Sequence, residues 1–282
     1  MTTPNRTTTF PSGAVIPALG QGTWYLGEDR RRHDQELAAL RTGIDIGLTA
    51  IDTAEMYGDG ASELLVGEAI SGRRDDVFLI SKVLPNHASA AGTRRACEAS
   101  LTRLGTDHLD LYLLHWRGGI PLAETVDAFE GLVRDGLIRG WGVSNFDTDD
   151  LDELLEVPGG EHVQTNQILY NLARRGPEFD LLPWSVERGI PLMSYSPVDH
   201  GRLLKHPVVE AVARAKGLTT AELAIAWVLR LAPAMCAMVK ASDRDHVQQN
   251  RAAVDVDFSP AELAQLDLVL PPPTRKVGLE ML

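Results

Sequence analysis

Short, unbroken apolar runs recur along this chain about every 31 residues, each followed by turn residues and an amphipathic stretch. The runs are Leu48–Ile51, Val77–Ile80, Leu109–Leu114, Trp141–Val143, Val163–Gln167, Pro191–Tyr195 and Met235–Val239, with Thr23-Trp24 taken as the end of an earlier one. Unbroken rather than alternating apolarity marks a parallel strand covered on both faces. Between the runs, Leu37, Leu40 and Ile44 share one helical face, as do Leu122, Val126, Phe129 and Val133. One strand with its helix occupies about 30 residues. A chain of 282 residues with no break in composition therefore predicts one domain over 1–282, of class α/β, a (β/α)8 TIM barrel. Length alone would suggest about two domains.

Local signals refine the outline. The last interval exceeds one strand–helix unit by about a dozen residues, so an extra helix or loop is expected before the eighth strand. Thr7–Phe10 and Ala14–Ile16 flank Pro11-Ser-Gly13, which predicts a small hairpin plugging one end of the barrel. Thr219 with Glu222, and Ser259 with Glu262, read as capping boxes, and Pro260 suits a first helical position. The segment from Pro271 to Leu282 is expected to be irregular.

Charge and cysteine usage exclude several function classes. Lys+Arg 27 against Asp+Glu 39 leaves a formal charge of −12, which repels nucleic acid and anionic membranes. The longest apolar runs, such as Leu231–Val239, fall far short of the ~18–20 residues that span a bilayer. The first ten residues lack the apolar core of a secretory signal. Cys97 and Cys236 form neither a disulfide framework nor a zinc pattern, and the eight histidines do not cluster, so no metal is expected. A cytoplasmic monomer, with no nucleic-acid or membrane partner, is the expectation.

The polar residues carry the functional signal. Asp52, Lys82, His115, the pair Ser144-Asn145, Gln167, Tyr195 and Lys240 each stand at or just past the carboxyl end of a different predicted strand. In a barrel those ends converge on the face that bears the active site. Each alone has a plain structural reading: Asp52 as a helix cap, Lys82 reaching off a strand end, His115 as a core histidine. Their joint placement on one rim weakens those readings. Other sites are absent. Gly20-Gln-Gly22 begins like a dinucleotide fingerprint but has Tyr25 where a third glycine belongs, and Gly142-Val-Ser144-Asn-Phe146 lacks the closing glycine of a nucleophile elbow.

Over about residues 10–275 the chain resembles the aldo-keto reductases, on motifs found in order at one-strand spacing. These are Gly20-Gln-Gly-Thr-Trp24, Ile51-Asp-Thr-Ala-Glu-Met-Tyr-Gly58, Leu79-Ile-Ser-Lys-Val83 and Leu109-Asp-Leu-Tyr-Leu-Leu-His-Trp116, then Gly140-Trp-Gly-Val-Ser-Asn-Phe146, Asn166-Gln167 and Tyr195-Ser-Pro197. The resemblance implies an oxidoreductase that reduces aldehydes or ketones by hydride transfer from a nicotinamide dinucleotide, bound without a Rossmann domain. It implies a catalytic set of Asp52, Tyr57, Lys82 and His115, with Tyr57 as proton donor. The residue types suit that chemistry: a phenol with a usual pKa of ~10 gives up its proton more readily beside a cation, which Lys82 supplies and Asp52 holds. Ser144, Asn145 and Gln167 match positions that hold the nicotinamide amide, and Tyr195 matches the ring that stacks on it. Thr23, Trp24, Asp52, Ser196, Val198 and Gln249 complete the implied cofactor contacts, and Trp24, Tyr57, His115 and Trp116 the implied substrate pocket.

At the adenosine-phosphate end, Lys240 and Asn250 fit the family pattern, but Val239, Ala241 and His246 stand where many relatives carry Pro, Ser and Arg. An imidazole grips a phosphate less firmly than a guanidinium, and Ser242 and Arg244 are the expected compensation. NADPH is the expected cofactor, with NADH left open. Short loops after Tyr195 and past Pro273 predict an open mouth and small or polar carbonyl substrates, such as the 2-oxoaldehydes reduced by the compact bacterial members that the chain most resembles. Two rival readings remain: a barrel aldolase with a Schiff base on Lys82, and a non-catalytic scaffold or redox-sensing subunit that only binds the cofactor.

Overall fold

Residues 6–282 are described by a computed structural model. A two-stranded antiparallel hairpin, β1 (Thr7–Thr9) and β2 (Val15–Pro17), precedes eight parallel strands. These are β3 (Leu19–Gly22), β4 (Ala50–Asp52), β5 (Phe78–Val83), β6 (Leu111–Leu114), β7 (Trp141–Ser144), β8 (Asn166–Leu169), β9 (Leu192–Tyr195) and β10 (Met235–Lys240). They pair in chain order and close through β10 on β3, the (β/α)8 barrel that the recurrent apolar runs predict.

The outer ring holds α1 (His33–Asp45), α2 (Ala61–Ile70), α3 (Ala90–Leu104), α4 (Leu122–Arg134), α5 (Thr148–Glu156), α6 (Leu181–Arg188), α7 (Pro207–Ala215), α8 (Thr220–Leu229), α9 (Arg244–Ala252) and α10 (Pro260–Val269). The long last interval does contain an extra helix, α7, ahead of α8. Thr219 and Ser259 cap α8 and α10 in full capping boxes with Glu222 and Glu262. Leu37, Leu40, Ile44, Leu122, Val126 and Phe129 are buried as their spacing predicts, and Val133 is half-buried.

Burial on both faces of the sheet makes two apolar layers. The larger lies between strands and helices. The smaller fills the barrel with Ala50, Ile80, Leu111, Leu113, Met193, Cys236 and Met238, and the hairpin region closes it with Phe10 and Ile16. The filling is tight at Gly20, where an added Cβ would meet Met238 Sδ at 2.5 Å. With the hairpin closing one end, where a small cavity of about 130 Å³ remains, the carboxyl ends of the strands open onto the larger ones.

Most strands differ from their predicted limits by a residue or two, and three differences bear on the site. β3 ends at Gly22, because the Leu26 N–H closes a turn on Thr23 O at 2.9 Å and Tyr25 takes a left-handed φ of 68°. β5 runs on to Val83, so Lys82 lies within the ladder opposite Leu113 rather than past its end. Val163 only follows a short helical turn, and β8 begins at Asn166, where pairing with Leu192 of β9 starts.

Candidate active site

The loop after β4 carries the first cluster. Past Asp52 the chain turns through Tyr57 and into α2 by left-handed residues Gly58, Asp59 and Gly60. Gly58 has a φ of 56°, and a Cβ there would meet the Glu28 Cγ at 2.8 Å. Only glycine fits that corner without strain. The loop is tied to its neighbour by Glu55, whose Oε1 accepts the Leu84 N–H at 2.7 Å.

Lys82 reaches this loop from β5 and is 0% exposed. Its ammonium donates to Asp52 Oδ2 at 2.9 Å, Thr53 O at 2.8 Å and the Tyr57 hydroxyl oxygen at 3.1 Å. Three N–H groups meet three acceptors, so a buried cation is fully satisfied. Asp52 is fixed from its other side by Gln167 Nε2, which donates to Oδ1 at 2.9 Å. Burial pulls Lys82 toward neutrality, but Asp52 and then Tyr57 more than offset it, and the ammonium is held above its usual range. Burial pushes the Tyr57 phenol up, against the pull of Lys82, so Tyr57 holds its proton at neutral pH.

His115 follows β6 and meets Tyr57 edge-on, with ring centroids 5.8 Å apart. Burial, and next the charge of Lys82, push its imidazole down to about 2. It is therefore neutral throughout the working range of pH, with Nδ1 buried and unpartnered. This has a consequence for stability. Above the unfolded pKa of about 6.5, both folded and unfolded forms are neutral, whereas below it only the unfolded chain takes up a proton. Stability contributed by burying neutral His115 is thus present above pH 6.5 and lost as pH falls toward 2. His115→Asn is expected to lessen the fall in urea unfolding midpoint between about pH 7 and 5; an unchanged slope would contradict a neutral buried imidazole.

On the opposite rim, Asn145 adopts a left-handed φ of 60°, which asparagine tolerates better than most residues. Its Nδ2 donates to His115 O at 3.1 Å and its Oδ1 accepts the Tyr195 hydroxyl at 2.8 Å. Ser144 Oγ donates to Gln167 O at 2.9 Å. These bonds lock four adjacent strand ends, β6 to β9, and leave the Tyr195 ring on the cavity wall.

The residues open onto a cavity of about 530 Å³ that includes Asp52, Tyr57, His115, Ser144, Asn145, Gln167, Tyr195 and Ser196, with Trp24 and Trp116 as walls. A second cavity of about 460 Å³ continues it, sharing Val198, Val239 and Lys240 and adding Ser242, His246, Gln249 and Asn250. Together they form one groove across the carboxyl end of the barrel. Three sequence-expected site residues line neither cavity. Lys82 lies behind Asp52 and Tyr57, Arg244 is exposed at the start of α9, and Thr23 is wholly buried. The Thr23 hydroxyl is taken up by Asp52 O at 3.0 Å and Ser62 Oγ at 2.9 Å, so Thr23 braces the Asp52 loop rather than facing the groove.

The expected open mouth is partly covered. Met281 and Leu282 line the first cavity, because Lys276 donates to Thr148 Oγ1 at 2.9 Å and Glu280 pairs with Arg174, drawing the tail back over the rim. Tyr25, Met56 and His200 also line it, and Leu204, Thr219, Thr220 and Ala221 line the second cavity. None of these was expected as a site residue, although Met56 lies within the Ile51–Gly58 motif and Thr219 opens a capping box.

A plugged barrel with a buried lysine–carboxylate pair behind a cavity-facing tyrosine and histidine is the arrangement that the motifs imply, and residues 18–270 match the model of the aldo/keto reductase family. The chain belongs to that family: it is an oxidoreductase of the kind that reduces carbonyl compounds. It is 51% identical over 277 residues to methylglyoxal reductase YeaE of Escherichia coli, covering 96% of this chain and 97% of the relative. An aldo/keto reductase from Klebsiella pneumoniae, solved with NADP and acetate, superimposes with a TM-score of 0.96 at 54% identity over 99% of this chain and 100% of its own. A second structure from that organism, solved with NADPH, gives 0.97 at 53% identity over the same shares.

Proposed function

We propose that the protein reduces small uncharged aldehydes and 2-oxoaldehydes, methylglyoxal among them, to alcohols with NADPH, and that Tyr57 is the proton donor. The hydrogen-bond state of the Tyr57 hydroxyl carries this reading. Its oxygen accepts from Lys82 Nζ at 3.1 Å, and an ammonium has no acceptor site, so the phenolic proton is left for a group in the cavity. A bound nicotinamide dinucleotide supplies a hydride to the carbonyl carbon. Tyr57 then protonates the oxygen on which negative charge develops, and Lys82 stabilises the phenolate left behind. His115, neutral and with Nδ1 turned away from any partner, offers its other ring nitrogen to the same oxygen.

The groove suits a dinucleotide. The Tyr195 ring offers a stacking face for the nicotinamide, and Ser144, Asn145 and Gln167 offer amide and hydroxyl groups beside it. Lys240, Ser242, Gln249 and Asn250 serve the far end, and His246 stands there as well. Around the carbonyl end the walls are Trp24, Trp116, Met56, Met281 and Leu282, and the one lysine lining this cavity, Lys240, lies at the end it shares with the second cavity. That favours uncharged carbonyls. A Schiff base on Lys82 is disfavoured, because that nitrogen is wholly buried, charged and committed to three acceptors. The paired Lys82 and Tyr57 disfavour a scaffold that merely binds cofactor. Every group named comes from one chain, so we read the working unit as a monomer of one barrel domain. No helix among the described residues is long and apolar enough to cross a membrane, and the two free, buried cysteines suit a reducing cytoplasm. NADPH absorbance with a carbonyl panel tests the reading. Methylglyoxal and simple aldehydes are expected to be consumed, pyruvate not, and NADPH is expected to outperform NADH; no turnover with any carbonyl would overturn it.

A further inference from the structure

The far end of the groove leaves a phosphate short of cations from the segment after β10. His246 has Nδ1 2.7 Å from Asp243 Oδ2, and Asp243 also accepts the His246 backbone N–H at 2.9 Å as the cap of α9. The imidazole is thus engaged by a carboxylate that itself repels phosphate, and Arg244 lines neither cavity. Of the expected cations, Lys240 alone faces the groove unencumbered by such a contact.

A guanidinium arrives from another strand. β10 pairs with β3 as far as Lys240 opposite Gly22, so the loop after β3 stands beside the loop after β10. On that loop Arg32 ends a single helical turn leading into α1; like Arg244 it lines neither cavity, but its Nη2 donates at 2.7 Å to Ser242 Oγ, whose residue lines the second. Its Nε lies 3.6 Å from Glu36 Oε1, while Glu36 Oε2 accepts the Gly27 N–H at 2.9 Å. The carboxylate that holds the guanidinium is therefore itself fixed by the backbone. Lys240 is close enough to feel the charge: burial first, and Arg32 next, hold its ammonium below the usual range, against the opposing pull of Glu36 and Asp243. Two cations held this close beside a serine hydroxyl are complementary to a doubly charged anion.

Resting on the reading of this groove as the cofactor site, we propose that Arg32, with Ser242 and Lys240, binds the 2′-phosphate of NADPH and sets its preference over NADH. A guanidinium has five N–H donors in a planar fork. One is used on Ser242, and Nε lies beside Glu36, which leaves donors on both terminal nitrogens for phosphate oxygens. Arg32 takes the part that His246 cannot fill while it pairs with Asp243.

Direct binding tests this without turnover. Dissociation constants for NADPH, NADH, 2′,5′-ADP and 5′-ADP are measured by quenching of tryptophan fluorescence in the wild type, Arg32→Ala and Arg32→Gln. Both variants are expected to bind NADPH and 2′,5′-ADP about 10- to 100-fold more weakly, with NADH and 5′-ADP changed by less than about twofold. Glutamine keeps a donor for Ser242 but no charge, and retained NADH affinity shows that the groove is intact. Unchanged NADPH affinity, or an equal loss for NADPH and NADH, would overturn the role of Arg32. Discrimination lost in Arg244→Ala but kept in Arg32→Gln would do the same. A wild-type protein that binds neither dinucleotide would overturn the cofactor reading as well.

Discussion

Tyr57→Phe is expected to lower the turnover of methylglyoxal by about 10²–10⁴-fold, the span that a positioned general acid contributes, while the dissociation constant for NADPH changes less than about twofold. The substitution removes one oxygen and little else. The ring stays packed near Trp24, 6.3 Å between centroids, and edge-on to His115. Lys82 keeps Asp52 and Thr53 O as acceptors and loses only the bond of 3.1 Å to the hydroxyl. Cofactor affinity has no reason to move. Single-turnover rates and fluorescence titrations on the same preparation separate the two quantities. Turnover within tenfold of the wild type would show that another group, or water, donates the proton.

Lys82→Met carries the second large effect, and it falls on stability as well as activity. Removing the ammonium leaves Asp52, 3% exposed, with only the Gln167 amide against a buried negative charge. Breaking one side of a buried ion pair costs about 3–5 kcal/mol. The double variant Asp52→Asn with Lys82→Met removes the unpaired charge, and it is expected to recover about half or more of that loss in urea unfolding. Turnover is expected to be absent from both, since the phenolate of Tyr57 then has no cation to stabilise it. A double variant no more stable than Lys82→Met would show that the pair contributes little to folding. Turnover in the double variant would show that Lys82 does not assist Tyr57.

How much of this was legible from residues alone depends on what imposes each feature. Two-sided burial forces apolarity on most of the barrel strands, so the polar residue that follows or interrupts a run stands out. Asp52, His115, Ser144, Gln167 and Tyr195 are visible for that reason, and the structure brings them round one cavity. The ends of strands were less legible. Val163 continues an apolar run in sequence, yet the ladder starts only at Asn166, because register is set by partners far away in the chain.

Loop residues were least legible of all. Tyr25 and His200 reach the cavity through left-handed backbones, φ 68° and 51°, at residue types that give no local sign of it. Met281 and Leu282 line it where Lys276 and Glu280 find partners on distant elements and Leu279 packs on the core. Arg32 closes the run Arg30-Arg31-Arg32, which reads locally as a solvated basic turn; its contact with Ser242 comes from the closure of β10 on β3. Thr23 errs the other way. It sits inside a strong motif, but its hydroxyl serves Asp52 O and Ser62 rather than the groove.

The central claim is that one groove holds NADPH and a carbonyl so that carbon receives hydrogen from the cofactor and oxygen receives it from Tyr57. Mass spectrometry of the alcohol formed from methylglyoxal tests it most directly, using NADPH fully deuterated at nicotinamide C4 in ordinary water. One deuterium on the new carbinol carbon of each product molecule is the predicted result, with that label lost along with turnover in Tyr57→Phe. Product that carries no deuterium on that carbon, or that forms at the same rate without NADPH, would contradict the account.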